Sequence, residues 1–232
     1  MKKRLVKSGS TRETMTEVAV RLFSENGYTG TTMRDIAKAV GVLPGSLYAH
    51  IESKETLLLD IVSQGIARFL AIEQLLEAHP ETPGAKLRRA IRAHVDIVAA
   101  DPEHTLVVFH QWRFLSEPNL AAAIEMRRRY ANTFVKIIDS GKAQGEFSAH
   151  LDTRIAVFGI LGALNWIPEW YSPKGVTSAA EIADRLADTL IFGLRSGPAW
   201  ASATPSPAPD VAAPAAPAPA ARKRVAAAKK SV

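Results

Sequence analysis

The chain has 232 residues, 47% of them hydrophobic, and no cysteine. That is enough apolar material for a sizeable core, and it excludes disulfides and thiolate metal sites. The net charge of +6 is concentrated at the ends: nine Lys/Arg face six Asp/Glu over residues 1–56, five face one over residues 197–232, and fifteen face sixteen in between. Basic ends attract polyanions, nucleic acid above all, although modest positive charge also simply favours solubility.

After Met1-Lys2-Lys3-Arg4 only Leu5-Val6 precedes polar residues, which does not read as a secretory signal. The longest apolar stretch, Ile155 to Ile167, has 13 residues and is interrupted only by Asn165. A bilayer span needs ~20, so a buried helix is expected there, in a cytoplasmic (nucleoid-associated) protein with no membrane contact.

In chain order, a basic arm (residues 1–9) leads into Ser10-Thr11-Arg12-Glu13, which has capping-box spacing. Met15, Val18, Ala19, Leu22 and Phe23 then form one apolar helical face, and Asn26-Gly27 ends it. A second, short helix is predicted over about Thr32–Val40, with Met33, Ile36, Ala37 and Val40 inward, followed by a turn at Gly41-Val42-Leu43. A third is predicted from Pro44, acceptable at a first helical position, to about His50. Ser53 caps a long fourth helix with Leu57, Leu58, Ile61, Val62, Ile66, Phe69 and Leu70 as its stripe, closed by Pro80 and Pro83. Further helices are predicted over about 85–100, 103–115, 119–143 and 152–166, and a last one from the capping box Ser178-Ala179-Ala180-Glu181 to about Leu194. No strand alternation appears, so the expected fold is all-α. Seven of the fourteen prolines lie from Pro198 onward among alanines, before Arg222-Lys223-Arg224 and Lys229-Lys230. This stretch, residues 197–232, reads as a low-complexity disordered tail.

Two short helices joined by a glycine-containing turn form a helix-turn-helix, whose second helix enters the major groove while the first crosses the backbone. Ile36, Ala37, Val42, Leu47 and Ile51 are the expected small core, and Gly41 the turn residue of positive φ. Gly45, Ser46, Tyr48 and Ala49 are expected to face the groove. Ala49 offers only apolar contact, such as with a thymine methyl.

Residues 11–58 resemble the DNA-binding domain of the TetR/AcrR family of bacterial repressors. The resemblance rests on the phenylalanine closing helix one, Thr32-Met33-Arg34-Asp35-Ile36-Ala37, Gly41-Val42, Leu47-Tyr48, and Ser53-Lys54-Glu55-Thr56-Leu57-Leu58. It implies a homodimer whose three-helix head (residues 10–56) binds a double-stranded operator, with a larger ligand-binding and dimerisation body (residues 57–196). It also implies DNA contacts for Thr32 and Arg34, for Gly45, Ser46 and Tyr48, and for His50 and Lys54 at phosphates. Thr32 has the alternative of a pure N-cap, Tyr48 of packing, and Lys54 of a solvated helix start.

In the body, the all-round apolar stretch 155–167, with Gly159 and Gly162, points to the last helices as the dimer interface. A central helix of a monomer is the alternative. Leu164-Asn165-Trp166, Glu169-Trp170-Tyr171-Ser172-Pro173-Lys174-Gly175 and Ile182-Ala183-Asp184 resemble a TetR subgroup that responds to acyl-CoA thioesters. Phe69, His94, Phe109, Trp112, Arg113, Tyr130, Asn165 and Trp166 are the expected effector pocket: aromatics with a few polar groups suit an apolar ligand with a polar head. Plain core is the alternative for many of them. Arg127-Arg128-Arg129 is either a solvated face or a contact for CoA phosphates.

No H-E-x-x-H, P-loop, G-x-S-x-G or G-x-G-x-x-G occurs, and His104 and His110 are six apart, off ligand spacing on a helix. No catalytic constellation, metal or cofactor is expected. A second reading makes the chain a sequence-tolerant architectural DNA binder that uses its basic tail.

Overall fold

The computed structural model describes residues 11–78 and 80–195. The basic arm, Ser10 of the first capping box, His79 and the Ala/Pro/Lys-rich tail lie outside the described residues. Within them the chain is helical, with no strand.

Helix α1 (Thr11–Gly30) is regular up to Gly27, whose φ of 74° breaks the spiral and sends Tyr28 off along a new direction. Only a residue without Cβ sits there cheaply. Helix α2 (Met33–Val40) begins with a complete capping box between Thr32 and Asp35 and ends on Gly41 at φ 85°, the left-handed cap that glycine favours. Helix α3 (Pro44–Tyr48) starts with proline at its first turn and stops two residues short of the predicted end, leaving Ala49 and His50 in the turn that follows. Met15, Ala19, Phe23, Ile36, Ala37, Leu47 and Ile51 are buried together, with Leu57 and Leu58 closing the small core from the next helix. Val42, expected in this core, is half-buried.

Helix α4 (Lys54–Glu77), N-capped by Ser53, runs out of the head and becomes the spine of the body. Around it pack α5 (Pro83–Ala100), α6 (Pro102–His110) and α7 (Asn119–Ala143); α8 (Thr153–Asn165) lies on α7 and α5, the short α9 (Ile167–Trp170) on α6 and α5, and α10 (Ala179–Leu194) along α5. Pro83 opens α5 rather than merely closing α4, because Thr82 caps the helix and proline is at ease in its first turn.

The single helix predicted over 103–115 is two pieces. The Trp112 indole N–H donates to the Phe109 carbonyl at 3.1 Å, and an uninterrupted α-helix would give that carbonyl to the N–H four residues on. Phe114 and Leu115 bond instead to the carbonyls three residues back, at 3.0 and 3.1 Å, and residues 112–114 tighten into a 3-10 turn. The Pro168 at the start of α9 has no N–H to extend α8, which is why the predicted helix 152–166 ends at Asn165 and a new turn begins.

Helices α8 and α10 are each two-faced. Val157, Ile160 and Leu164 are buried, whereas Ile155 (63% exposed), Phe158 (56%) and Trp166 (57%) on the α8 side and Phe192 (82%) on α10 face outward. Among the described residues nothing packs on one side of α8, so the helix is not central within the protomer. A Cβ added at Gly159, Gly162 or Gly193 would meet nothing within 4 Å.

Candidate nucleic-acid interface and effector region

The head presents α3 as its outermost element. Gly45, Ser46, Tyr48, Ala49 and His50 are exposed, and Leu47 between them is fully buried. One inward leucine therefore anchors a five-residue helix whose remaining surface is free. Arg34 is exposed on α2. Leu43, 76% exposed at the N-terminus of α3, belongs with this surface. Sequence reasoning missed it because a leucine in a helix-turn-helix reads as core.

Two of the expected contact residues have internal partners. The Thr32 N–H donates to Asp35 Oδ2 at 2.9 Å, and Thr32 Oγ1 accepts from the Asp35 N–H at 3.2 Å. The Thr32 hydroxyl and N–H, both bonded to the Asp35 carboxyl, hold it below its usual range. The Lys54 ammonium donates to the Tyr28 and Thr31 carbonyls, both at 2.8 Å, and stands 4.2 Å over the Tyr28 ring. It clasps the α1–α2 turn onto the start of α4.

Tyr28 is also where head meets body. Its N–H donates to Gln111 Oε1 at 3.0 Å, and its ring stacks on Phe114 at 5.8 Å between centroids. Beside it, Glu55 Oε1 accepts from the Ser116 N–H (3.0 Å), the Ser116 hydroxyl (2.6 Å) and Asn119 Nδ2 (3.3 Å). These bonds, the Ser116 hydroxyl's first, hold the Glu55 carboxyl below its ordinary value. The end of α6 and the following turn thus grip both α1 and α4.

Four of the eight expected pocket residues come together in the body. Phe69 (α4), His94 (α5), Phe109 (α6) and Tyr130 (α7) are buried, with ring centroids 4.7 to 6.0 Å apart. His94 Nδ1 and the Tyr130 hydroxyl share a 2.8 Å hydrogen bond, while His94 Nε2 is buried with no hydrogen bond of good geometry among the described residues. Trp112 and Asn165 are half-buried, and Arg113 is exposed. Trp166 lies on the open side of α8, edge-on to His110. A cleft of about 240 Å³ opens further along α4 and α7, lined by Glu73, Leu76, Pro83, Thr133, Lys136 and Ile137 among others. None of the eight expected residues lines it. Among the described residues no group of three His, Asp or Glu could hold a metal ion, and no helix is long and apolar enough to cross a membrane.

Burial drives the His94 imidazole down to about 3, only partly opposed by the Leu164 carbonyl. The folded chain thus holds it neutral where an unfolded chain, with a histidine pKa of about 6.5, takes up a proton. This contribution to stability is intact above about pH 6.5 and is lost as pH falls toward 3, at about 1.4 kcal/mol per unit. Urea titrations of the wild type at pH 7.5 and 5 should differ by about 2 kcal/mol from this group, and His94→Gln should remove most of that difference. An unchanged pH dependence in the variant would refute the assignment.

A capped helix-turn-helix with a bare third helix, set on a larger helical body, is the plan of a DNA-binding regulator. The chain belongs to the TetR family: residues 16–61 match the bacterial regulatory proteins of the tetR family, and residues 80–194 match the tetracyclin repressor-like C-terminal domain. It is 28% identical over 198 residues to the HTH-type transcriptional repressor KstR2 of Rhodococcus jostii, covering 82% of this chain and 93% of the relative. The solved ketosteroid regulator KstR2 of Mycobacterium tuberculosis shares the fold, with a TM-score of 0.76 over 82% of this chain and 98% of that one, at 22% identity. The structure of AibR in complex with isovaleryl coenzyme A and operator DNA superposes with a TM-score of 0.69 over 80% of this chain and 98% of that one, at 25% identity.

Proposed function

We propose that the protein is a homodimeric repressor that holds a palindromic operator through α3 and releases it when the body takes up an apolar or acyl-CoA-type effector. The observation that carries this is the α3 surface, an exposed helix fixed by one buried leucine in a family-typical head. The domain plan is a basic arm at 1–9, a head at 10–56, a body at 57–196 and a tail at 197–232, in a protein working at the nucleoid of the cytoplasm. Members of the family that bind operators do so as homodimers, and the open apolar sides of α8 and α10 supply the surface. In successive major grooves, the two α3 helices lie about 34–36 Å apart.

Arg34, Gly45, Ser46, Tyr48, Ala49 and His50 are assigned to the DNA, with Leu43 beside them. Thr32 acts mainly by positioning α2. Lys54 acts mainly by positioning α4, with one of its three protons left for a phosphate. The aromatic cluster of Phe69, His94, Phe109 and Tyr130 is the floor of the effector site, with Trp112, Arg113 and Asn165 at its edge and Trp166 furthest out.

The relay is short. Phe109 lies in the cluster, and the same helix and the turn after it end against Tyr28 and Glu55 in the head. An effector that binds better when α6 is displaced pulls the head out of register with DNA, and DNA weakens effector binding by the same factor.

The test is selection from a random duplex library, followed by titration on the recovered sequence. A palindrome with half-sites one turn apart is expected. Tyr48→Ala and Arg34→Ala should each weaken binding by about tenfold or more, equivalent to about 1–3 kcal/mol, with helical content unchanged. Recovery of no common sequence would reject the reading as a specific repressor.

A further inference from the structure

The arginine run 127–129 divides in three dimensions. Arg128 pairs with Glu125 at 2.9 Å and Arg129 with Glu73 at 3.6 Å, both arginines on the surface. Arg127 turns inward instead. Its guanidinium lies 4.9 Å from the Trp112 ring, and its one side-chain hydrogen bond among the described residues, to the Val108 carbonyl, is long at 3.5 Å. Arg113 approaches the same indole at 5.9 Å. Neither arginine has a carboxylate partner among the described residues, so two like charges flank one ring with nothing to neutralise them.

That arrangement is costly by itself. A half-buried guanidinium without an anion has given up water and gained little, and burial together with the Arg113 charge pushes the Arg127 pKa below the ordinary guanidinium value. The cost is recovered if an anion arrives. Two forked guanidinium groups, each with about five N–H donors, match the oxygens of a phosphate. The position is also informative. The Trp112 indole bonds to the Phe109 carbonyl, and the Phe109 ring belongs to the buried aromatic cluster. The two arginines therefore stand one helical turn from the apolar floor.

We propose that Arg127, Trp112 and Arg113 form an anion subsite that takes a phosphate or pyrophosphate group of the effector, whose apolar part lies toward Phe109. This rests on the effector-responsive reading above, but its test does not use DNA. The full chain is melted in sodium pyrophosphate, in CoA, and in sodium chloride at matched ionic strength, as wild type, Arg127→Met, Arg113→Gln and Arg128→Gln.

The wild type should gain stability in pyrophosphate and CoA beyond the salt control. The apparent affinity should fall at least tenfold in Arg127→Met and several-fold in Arg113→Gln, and stay unchanged in Arg128→Gln, which changes a neighbouring surface arginine outside the subsite. Arg127→Met should also melt no lower than the wild type without anion, since it removes an unpaired charge. Arg113 is exposed, so its variant tests the subsite even if Arg127→Met does not fold. A response to CoA at far lower concentration than to pyrophosphate identifies a phosphorylated nucleotide as the handle; equal responses identify a small anion. No gain in the wild type, or an equal gain in wild type and Arg113→Gln, overturns the proposal. Failure of the operator selection with the anion response intact rejects the repressor reading alone.

Discussion

Replacing Phe158 with glutamate is expected to leave the protein monomeric at micromolar concentration and to lower its operator affinity by about a hundredfold or more. Phe158 is 56% exposed on α8 in the single chain, with the Arg154 guanidinium 5.4 Å from its ring. Nearby, Gly159 and Gly162 leave room for another backbone to approach. Buried in a dimer, a phenyl ring of this size contributes about 1.5–3 kcal/mol per protomer, and the interface is isologous, so each substitution acts twice. A carboxylate in its place has to be desolvated, and pairing with Arg154 on the same helix offsets only part of that cost. Each half-site then binds alone, and the gain from holding both at once, about 10²–10⁴ in affinity, disappears. Sedimentation velocity and operator titration read the two effects, with Phe192→Asp as the matching change on α10. The protomer should stay helical, because its own core lies on the other side of both helices. A Phe158→Glu protein that sediments as a dimer and binds normally would place the interface elsewhere.

The second large effect concerns the spine of the body. Gly65 on α4 lies so close to Val108 on α6 that a Cβ added to it would come within 2.2 Å of Val108 Cγ2. Val108 is fully buried and β-branched, so its methyl cannot swing away. On helix propensity alone, Gly65→Ala should stabilise α4 by about 1 kcal/mol. The clash reverses the sign, and a net loss of about 1–3 kcal/mol in urea unfolding is expected. Val108→Ala removes the offending methyl, so the double variant should recover much of the loss, a coupling that a thermodynamic cycle isolates. A Gly65→Ala protein as stable as the wild type would mean that α4 and α6 are not locked at this point.

The head was nearly readable from the letters. Ser53, Thr32 and Gly41 act over a few residues, and their caps and turn appear where the spacing puts them. The body was readable in outline, because apolar periodicity marks helices wherever they pack. What escaped were interactions that only the folded chain brings about. The break after His110 depends on an indole taking a carbonyl, which no periodicity records. The hold of Lys54 on the α1–α2 turn escaped because only the fold brings the Tyr28 and Thr31 carbonyls to its ammonium. The division of the 127–129 run was invisible for the same reason: sequence gives three equal arginines, and only the packing of α7 against Trp112 singles out one. Of the eight residues expected around an effector, four share one buried cluster. Residues on four different helices met because each was inward by period, whereas Trp166 lies on the side of α8 that faces away from its own protomer.

The Lys54 clasp also bears on the thermodynamics of DNA binding. Each phosphate neutralised by a protein cation releases condensed counterions, and the salt dependence of affinity counts those contacts at about 0.9 per phosphate. Residues 1–56 carry nine lysines and arginines, but Lys54 spends two of its protons on its own backbone, and Arg12 is paired with Asp60 at 2.6 Å. A slope calculated by counting basic residues would therefore be too steep. Arg12, already paired with a carboxylate, adds little to that slope, whereas Lys54 keeps its full charge against neutral carbonyls and serves chiefly to hold the head in shape.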